Sequence, residues 1–227
     1  MALNKQKGNM YGFITHTWNT VKGKCPHDCS YCYMKAHGEQ KDLHFDEKEL
    51  NTDLGGRNFI FVGSSCDMWA ESVPDEWIAK TIEHCRKYQN NNYLFQTKNT
   101  ARFVEFLEHD TFPLGTVLCT TIETNRNYPQ MGTAPNTHER AIWLGSRELR
   151  TYAKMVTVEP VMDFDLFELS FLVRRTGAVQ VNIGADSKGH GLPEPSYDKI
   201  NNLIDTLPEW IRVIQKPNLK RIMGVTK

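Results

Sequence analysis

Two hydrophobic patterns alternate along the chain. Short runs rich in β-branched and aromatic residues are followed by stretches in which apolar residues recur every three or four positions. The first pattern predicts strands and the second amphipathic helices. Residues 15–21 read as a first strand and 58–63 as a second. Ser72-Val-Pro-Asp75 then has the form of a capping box with Pro74 near the first helical position. Ile78, Ile82 and Cys85 carry a helix on to about residue 88. Residues 93–97 form a third strand, and Asn99 is placed to cap a helix bearing Phe103, Phe106 and Leu107. The cycle continues with strands over 116–122, 154–158, 179–183 and 210–214. Helices are predicted over 137–149, 165–175 and 196–207, and an Asn-, Pro- and Gly-rich loop over 125–136.

Strands alternating with helices imply a parallel sheet. Six or seven such units curve into a partial barrel. A complete eightfold barrel takes about 250 residues, and this chain has 227. The expectation is an α/β chain forming one domain over residues 1–227, a partial (β/α)6-type barrel of parallel strands. Active sites of such folds lie at the carboxyl ends of the strands. The polar residues there are Ser64, Ser65, Asp67, Lys98, Thr121, Glu123, Glu159 and Asp186.

Composition narrows the picture. With 40% hydrophobic and 24% charged residues the chain is neither collagen-like nor largely disordered. Its 27 basic and 27 acidic residues balance, which argues against a non-specific duplex binder but leaves a local basic patch open. The tail from Lys216, with Lys220, Arg221 and Lys227, is one such stretch, read as solvated or phosphate-contacting. No apolar run approaches the roughly 20 residues of a membrane span, and the amino terminus has no secretory apolar region. A cytoplasmic protein is expected. In a reducing compartment six cysteines suggest metal ligation or burial rather than disulfides. Cys85, on an apolar helix face, and Cys119, within a strand, read as core; Cys66 lies beside the strand-end residues.

The other three cysteines crowd one loop, Cys25-Pro-His-Asp-Cys29-Ser-Tyr-Cys32, directly after the first strand. Three thiolates can hold one side of a [4Fe–4S] cluster, which normally takes four, leaving one iron open. A zinc site is an alternative, but it needs a fourth ligand, for which His27 inside the loop is poorly placed; buried structural cysteines are another.

The spacing C-x3-C-x2-C, with an aromatic before the last cysteine, resembles the signature of radical SAM enzymes. The resemblance extends nearly end to end to a family of short, phage-associated radical SAM proteins known mainly as a domain of unknown function, the three-Cys-motif family. It rests on Trp18-Asn19, Ser64-Ser-Cys-Asp67 followed by Val73-Pro74, Gln96-Thr-Lys98, Thr121-Ile-Glu123, Val158-Glu-Pro160 and Gly184-Ala-Asp186-Ser. Cys66, Ala185 and Asp186 stand where the family has Ser, Gly and Glu.

The resemblance implies the following roles. Cys25, Cys29 and Cys32 hold the cluster, and S-adenosylmethionine chelates the open iron. Reductive cleavage then gives a 5′-deoxyadenosyl radical that abstracts hydrogen from a substrate. Tyr31 shields the adenine side, and Ser64, Ser65 and Asp67 meet the methionine amino group. Lys98 pairs with the SAM carboxylate or with substrate, Glu123 holds the ribose hydroxyls, and Glu159 takes Lys98 as its ion partner. Lys98, Glu159 and Asp186 are the catalytic candidates, and Asp186 opens a loop to Pro195 read as a lid or a plain surface loop. A flavodoxin or ferredoxin supplies the electron, in a host cytoplasm if the protein is phage-encoded. A nucleotide or nucleic acid is the preferred substrate, with a peptide or small metabolite as the alternative; a metal-binding module without turnover is a reading of another class.

Overall fold

The computed structural model describes residues 3–6 and 10–224; the basic tail residue Lys227 lies outside them. The strands are β1 (Asn4–Lys5), β2 (His16–Trp18), β3 (Val21–Lys22), β4 (His44–Phe45), β5 (Phe59–Val62), β6 (Asn92–Thr97), β7 (Thr116–Thr121), β8 (Ala153–Val158), β9 (Gln180–Ile183) and β10 (Arg212–Gln215). Five α-helices follow successive strands: α1 (Asp75–Arg86), α2 (Ala101–Leu107), α3 (Thr137–Leu144), α4 (Leu166–Arg175) and α5 (Tyr197–Thr206). β2 and β5 to β10 form one sheet in sequence order, every neighbouring pair parallel. β1 adds an antiparallel edge on β2, and β3 pairs separately with β4. Among the described residues the ladder therefore ends at β1 and β10 and does not close: the α/β fold is the expected partial barrel of parallel strands. Among the described residues, no helix is long and apolar enough to cross a membrane.

Alternation along the strands sorts the side chains into two cores, because successive residues face opposite sides of a sheet. Ile60, Val62, Tyr93, Phe95, Leu118, Val156, Val158, Val181 and Ile183 join the helix residues Ile78, Ile82, Phe103, Ala141, Leu169, Leu172 and Ile200 in the main core. Leu94, Cys119 and Met155 face the other way. There they pack with Phe59, Phe61 and Val117 against Tyr11 and Ile14, so residues 10–14 plug the base of the barrel. Apolar residues fill the base, and the polar strand ends are left to line a cavity at the mouth.

Several local expectations are corrected. The predicted strand over 15–21 is interrupted, because the Asn19 side chain turns to accept bonds from Ser65 N and Ser64 Oγ at 2.9 and 3.2 Å. Pro74 is the N-cap of α1, next to its first helical residue as expected, but no side chain caps that end as a capping box would. Thr100, not Asn99, precedes α2; the Asn99 amide donates instead to Glu71. Helix α3 stops at Leu144 instead of 149. A Cβ on Gly145 would lie 2.1 Å from the Arg175 carbonyl at the end of α4, so the chain must turn where the two helices meet.

Candidate active site

The cysteine loop follows β3 and is clamped from outside by the 125–136 loop. Ser30 N donates to Gln130 O, and Thr133 donates through its N and Oγ1 to His27 O and Pro26 O, all at 2.9 Å. The Cys29 thiol donates to Met131 O at 3.2 Å. Gly132 makes this approach possible. Its φ is +66°, and a Cβ there would lie 2.0 Å from the His27 carbonyl oxygen, a space no other residue leaves open.

From inside, Asp67 holds the same loop. Its buried carboxylate accepts from His27 Nε2 at 2.8 Å, Thr97 Oγ1 at 2.8 Å, Lys98 N at 2.9 Å and Trp69 N at 3.0 Å. Burial opposes the charge of both partners, yet their mutual attraction lowers the Asp67 pKa and raises that of His27. Asp67 is thus neither a solvated loop acid nor an uncommitted carboxylate. Its lone pairs are engaged in fixing His27 between two of the cysteines.

Cys25, Cys29 and Cys32 line a single cavity of about 1130 Å³ at the carboxyl ends of the strands. Cys66 lines it too. A hydrogen bond with the Cys66 thiol lowers the Cys25 pKa to about 6 against the effect of burial, and the same contact raises that of Cys66. Burial raises the Cys32 thiol. Cys85 and Cys119 are fully buried in the cores, as expected. Among the described residues, no group of three or more His, Cys, Asp or Glu side chains forms a single-ion metal site. The donor set nonetheless suits a cluster: three thiols on one loop face open space, with a cation beside one of them.

That cation is Lys98. Its Nζ lies 3.3 Å from Cys29 Sγ, 2.7 Å from the Tyr31 hydroxyl and 2.7 Å from Glu123 Oε1. Glu123 also accepts from the Tyr31 hydroxyl and from Arg140 Nη1 at 2.7 Å. Arg140 donates as well to the carbonyls of Thr121 and Pro135 at 2.9 and 2.6 Å. Glu123 and Arg140 are 0% exposed. Burial would raise the Glu123 pKa, but the charges of Arg140 and Lys98 hold it at about 2. Burial and the Glu123 charge together raise the Tyr31 hydroxyl.

The expected Lys98–Glu159 pair does not form. Lys98 is taken by Glu123, and Glu159 instead accepts from Lys216 Nζ at 2.5 Å and Asn218 Nδ2 at 2.7 Å. Glu123 is buried with its oxygens engaged by Lys98, Tyr31 and Arg140, and does not line the cavity. Tyr31, Ser64, Ser65, Asp67, Lys98, Glu159 and Asp186 do reach that lining. Ser64 and Ser65 form the turn held by Asn19, and Tyr33 Oη donates to Ser64 O at 2.6 Å.

Asp186 accepts from its own loop, from His190 Nδ1 at 2.7 Å and Lys188 N at 3.0 Å. Leu192 of that loop packs with Cys29, Tyr31, Met131 and Met162. The 186–195 loop is therefore a folded wall of the cavity, bound from outside by the Arg221–Glu194 ion pair at 2.5 Å. Lys216, read as the start of a solvated or phosphate-contacting tail, is 7% exposed and lines the cavity. The available signal was its position immediately after the apolar run of β10, as Lys98 follows β6.

Comparison with known proteins agrees with this architecture. The fold is shared with solved structures of spore photoproduct lyase. A variant with bound AdoMet and dinucleoside spore photoproduct superposes with a TM-score of 0.58 at 13% identity, over 92% of this chain and 66% of that one. A second variant gives 0.59 at 15% identity, over 89% and 64%. The enzyme complexed with dinucleoside spore photoproduct gives 0.58 at 13%, over 90% and 64%. The chain thus spans just under two thirds of these neighbours' length. No curated protein matches. The model of one protein family covers residues 10–163, from the barrel plug through the cysteine loop to the end of β8 and just beyond, and the chain belongs to that family, described as protein of unknown function DUF5131.

Proposed function

We propose that this chain is a radical SAM enzyme, in which Cys25, Cys29 and Cys32 hold a [4Fe–4S] cluster and the adjoining cavity takes S-adenosylmethionine and substrate. The observation that carries the reading is the convergence of those three thiols of one loop on a cavity at the strand ends, with Lys98 Nζ 3.3 Å from Cys29 Sγ. Bound there, the cofactors would supply one-electron reduction and hydrogen-atom abstraction.

The protein's part is to hold and shield. The 125–136 loop and Asp67 fix the cysteine loop from its two sides. Lys98 offers an N–H to a thiolate sulfur, an interaction that tunes cluster potentials. Tyr31, Glu123 and Arg140 fix Lys98 in turn. Ser64 and Ser65 set polar groups beside the cysteines, where the amino-acid end of S-adenosylmethionine would lie. Leu192, Met131 and Met162 pack over Cys29 and keep water from it. A flavodoxin or ferredoxin is the proposed reductant.

A nucleotide or nucleic acid is the proposed substrate, supported by the dinucleoside bound to fold neighbours. Anaerobic reconstitution tests the reading. About four iron and four sulfide per chain, with S-adenosylmethionine cleaved on reduction, is the expected result. One zinc per chain and no cleavage would show a binding module instead.

A further inference from the structure

The outer face of helices α3 and α4 carries an apolar surface that the cavity does not use. The two helices run side by side in the same direction. His138 Nε2 lies 3.8 Å from Glu168 Oε2 at their N-terminal ends, and Gly145 meets the Arg175 carbonyl at their C-terminal ends. On the solvent side of α4, Phe167 is 80% exposed and Phe171 50%, one turn apart and opposite the buried Leu169, Leu172 and Val173. Ile142 and Trp143 are exposed on α3, one turn after His138 and Glu139. Single exposed apolar residues are ordinary. Four large ones on two adjacent helices form a patch, and such a patch marks a contact surface.

The charges around this patch are ordered. Glu139 and Glu168 are exposed in the first turns of α3 and α4, and Arg174 and Arg175 are exposed in the last turn of α4. Glu168 and Arg174 are equally spaced before and after Phe171, and residues three or four apart share a helix face. A half-turn about an axis through Phe171 reverses that order. The acidic end of one copy then lies over the basic end of the other, and the apolar centre lies over itself. Two-fold contacts need this self-complementarity. A partner of uniform charge would be attracted at one end of the face and repelled at the other. With 27 basic and 27 acidic residues, the chain has no net charge to hold two copies apart.

We propose that this face is the interface of a two-fold homodimer. In it α4 crosses its copy antiparallel at Phe171, with Phe167, Ile142 and Trp143 packed around the crossing, and Glu168 of each copy pairs with Arg174 and Arg175 of the other. The interface takes no residue from the cavity lining, and it goes beyond the radical SAM reading without resting on it.

Sedimentation velocity of the full chain, purified anaerobically, tests the proposal. A dimer is expected at micromolar concentration. F171D places a charge at the centre of the interface in both copies and should weaken association about a hundredfold or more. E168R, and separately R174E/R175E, set like charges opposite one another and should each weaken it about tenfold. An equal mixture of these two charge variants should recover the dimer, because the mixed pair matches Arg with Glu at both ends; unfolded variants would not be rescued in this way. A chain that stays monomeric at about 100 µM overturns the proposal, whether or not the face then takes a different partner. A dimer indifferent to F171D overturns it too, as do charge variants whose mixture gains no dimer.

Discussion

Replacing Glu123 by Gln tests the buried charge network beneath the cysteine loop. The carboxylate is 0% exposed and is shared by Lys98, Tyr31 and Arg140. Removing one member of a buried ion pair costs about 3–5 kcal/mol, because the remaining charges stay buried without a counterion. The titration of Glu123 gives an independent figure. Lowering its pKa from 4.5 to about 2 corresponds to about 3 kcal/mol of native-state stabilisation, at 1.36 kcal/mol per decade. The two routes agree on about 3 kcal/mol. Since the folded pKa is depressed, this stability is fully present above pH 4.5 and is lost as pH falls from there towards 2. Urea unfolding of the chain without cofactors measures it. At pH 7 the E123Q midpoint should fall by the equivalent of about 3 kcal/mol with the slope unchanged. The gap between the two proteins should narrow as the pH is lowered from 5 to 3. A loss below about 0.5 kcal/mol, or a gap that does not change with pH, would show that Glu123 is not the ionised centre of the network.

Three further predictions concern the cysteine loop. Cys25→Ala, Cys29→Ala and Cys32→Ala should each abolish iron and sulfide retention after reconstitution, whereas Cys85→Ser, in the core, should keep the cluster and lose about 1–3 kcal/mol of stability; iron analysis beside denaturation separates the two outcomes. Gly132→Ala should cost more than about 2 kcal/mol, since it combines a left-handed backbone with a methyl group 2.0 Å from the His27 carbonyl, and iron loading should fall with it; native loading would mean that the 125–136 loop does not shape the cysteine loop. Asp67→Asn should lower stability by about 3 kcal/mol through loss of the buried His27 pair, together with iron retention, and a variant that unfolds and loads like the parent would refute the proposed support.

The strands and helices were legible because both faces of a parallel strand are constrained: the apolar runs at 59–62, 93–97, 116–121 and 153–158 are too short for helices and too continuous for loops. Legibility failed where a distant backbone decides the local outcome. Nothing near residue 145 announces that the Arg175 carbonyl lies 2.1 Å from where a side chain would begin, and nothing near Asn19 announces that Ser64 and Ser65 will bend it out of the strand. The three cysteines could be singled out because their chemistry is local in sequence. The charge partners could not. Lys98 faces two carboxylates at strand ends, Glu123 and Glu159, and only the three-dimensional order of β7, β8 and β10 assigns the first to Lys98 and the second to Lys216.

That assignment gives the two lysine–carboxylate pairs different surroundings. Glu123 is buried with Arg140 and pairs with Lys98 as well, so this network carries one positive charge in excess. The surplus is placed 3.3 Å from a thiol sulfur, where it offsets the negative charge that thiolates acquire on ligation, and a neutral pair there would not. Lys216 and Glu159 pair at 2.5 Å on the far side of the same cavity, away from the cysteines. Had Lys98 paired with Glu159 as first expected, Glu123 would have been left with Arg140 alone and the charge beside Cys29 would have been cancelled from the cavity side. The exchange of partners thus keeps a positive charge beside Cys29 and gives Glu159 a different lysine.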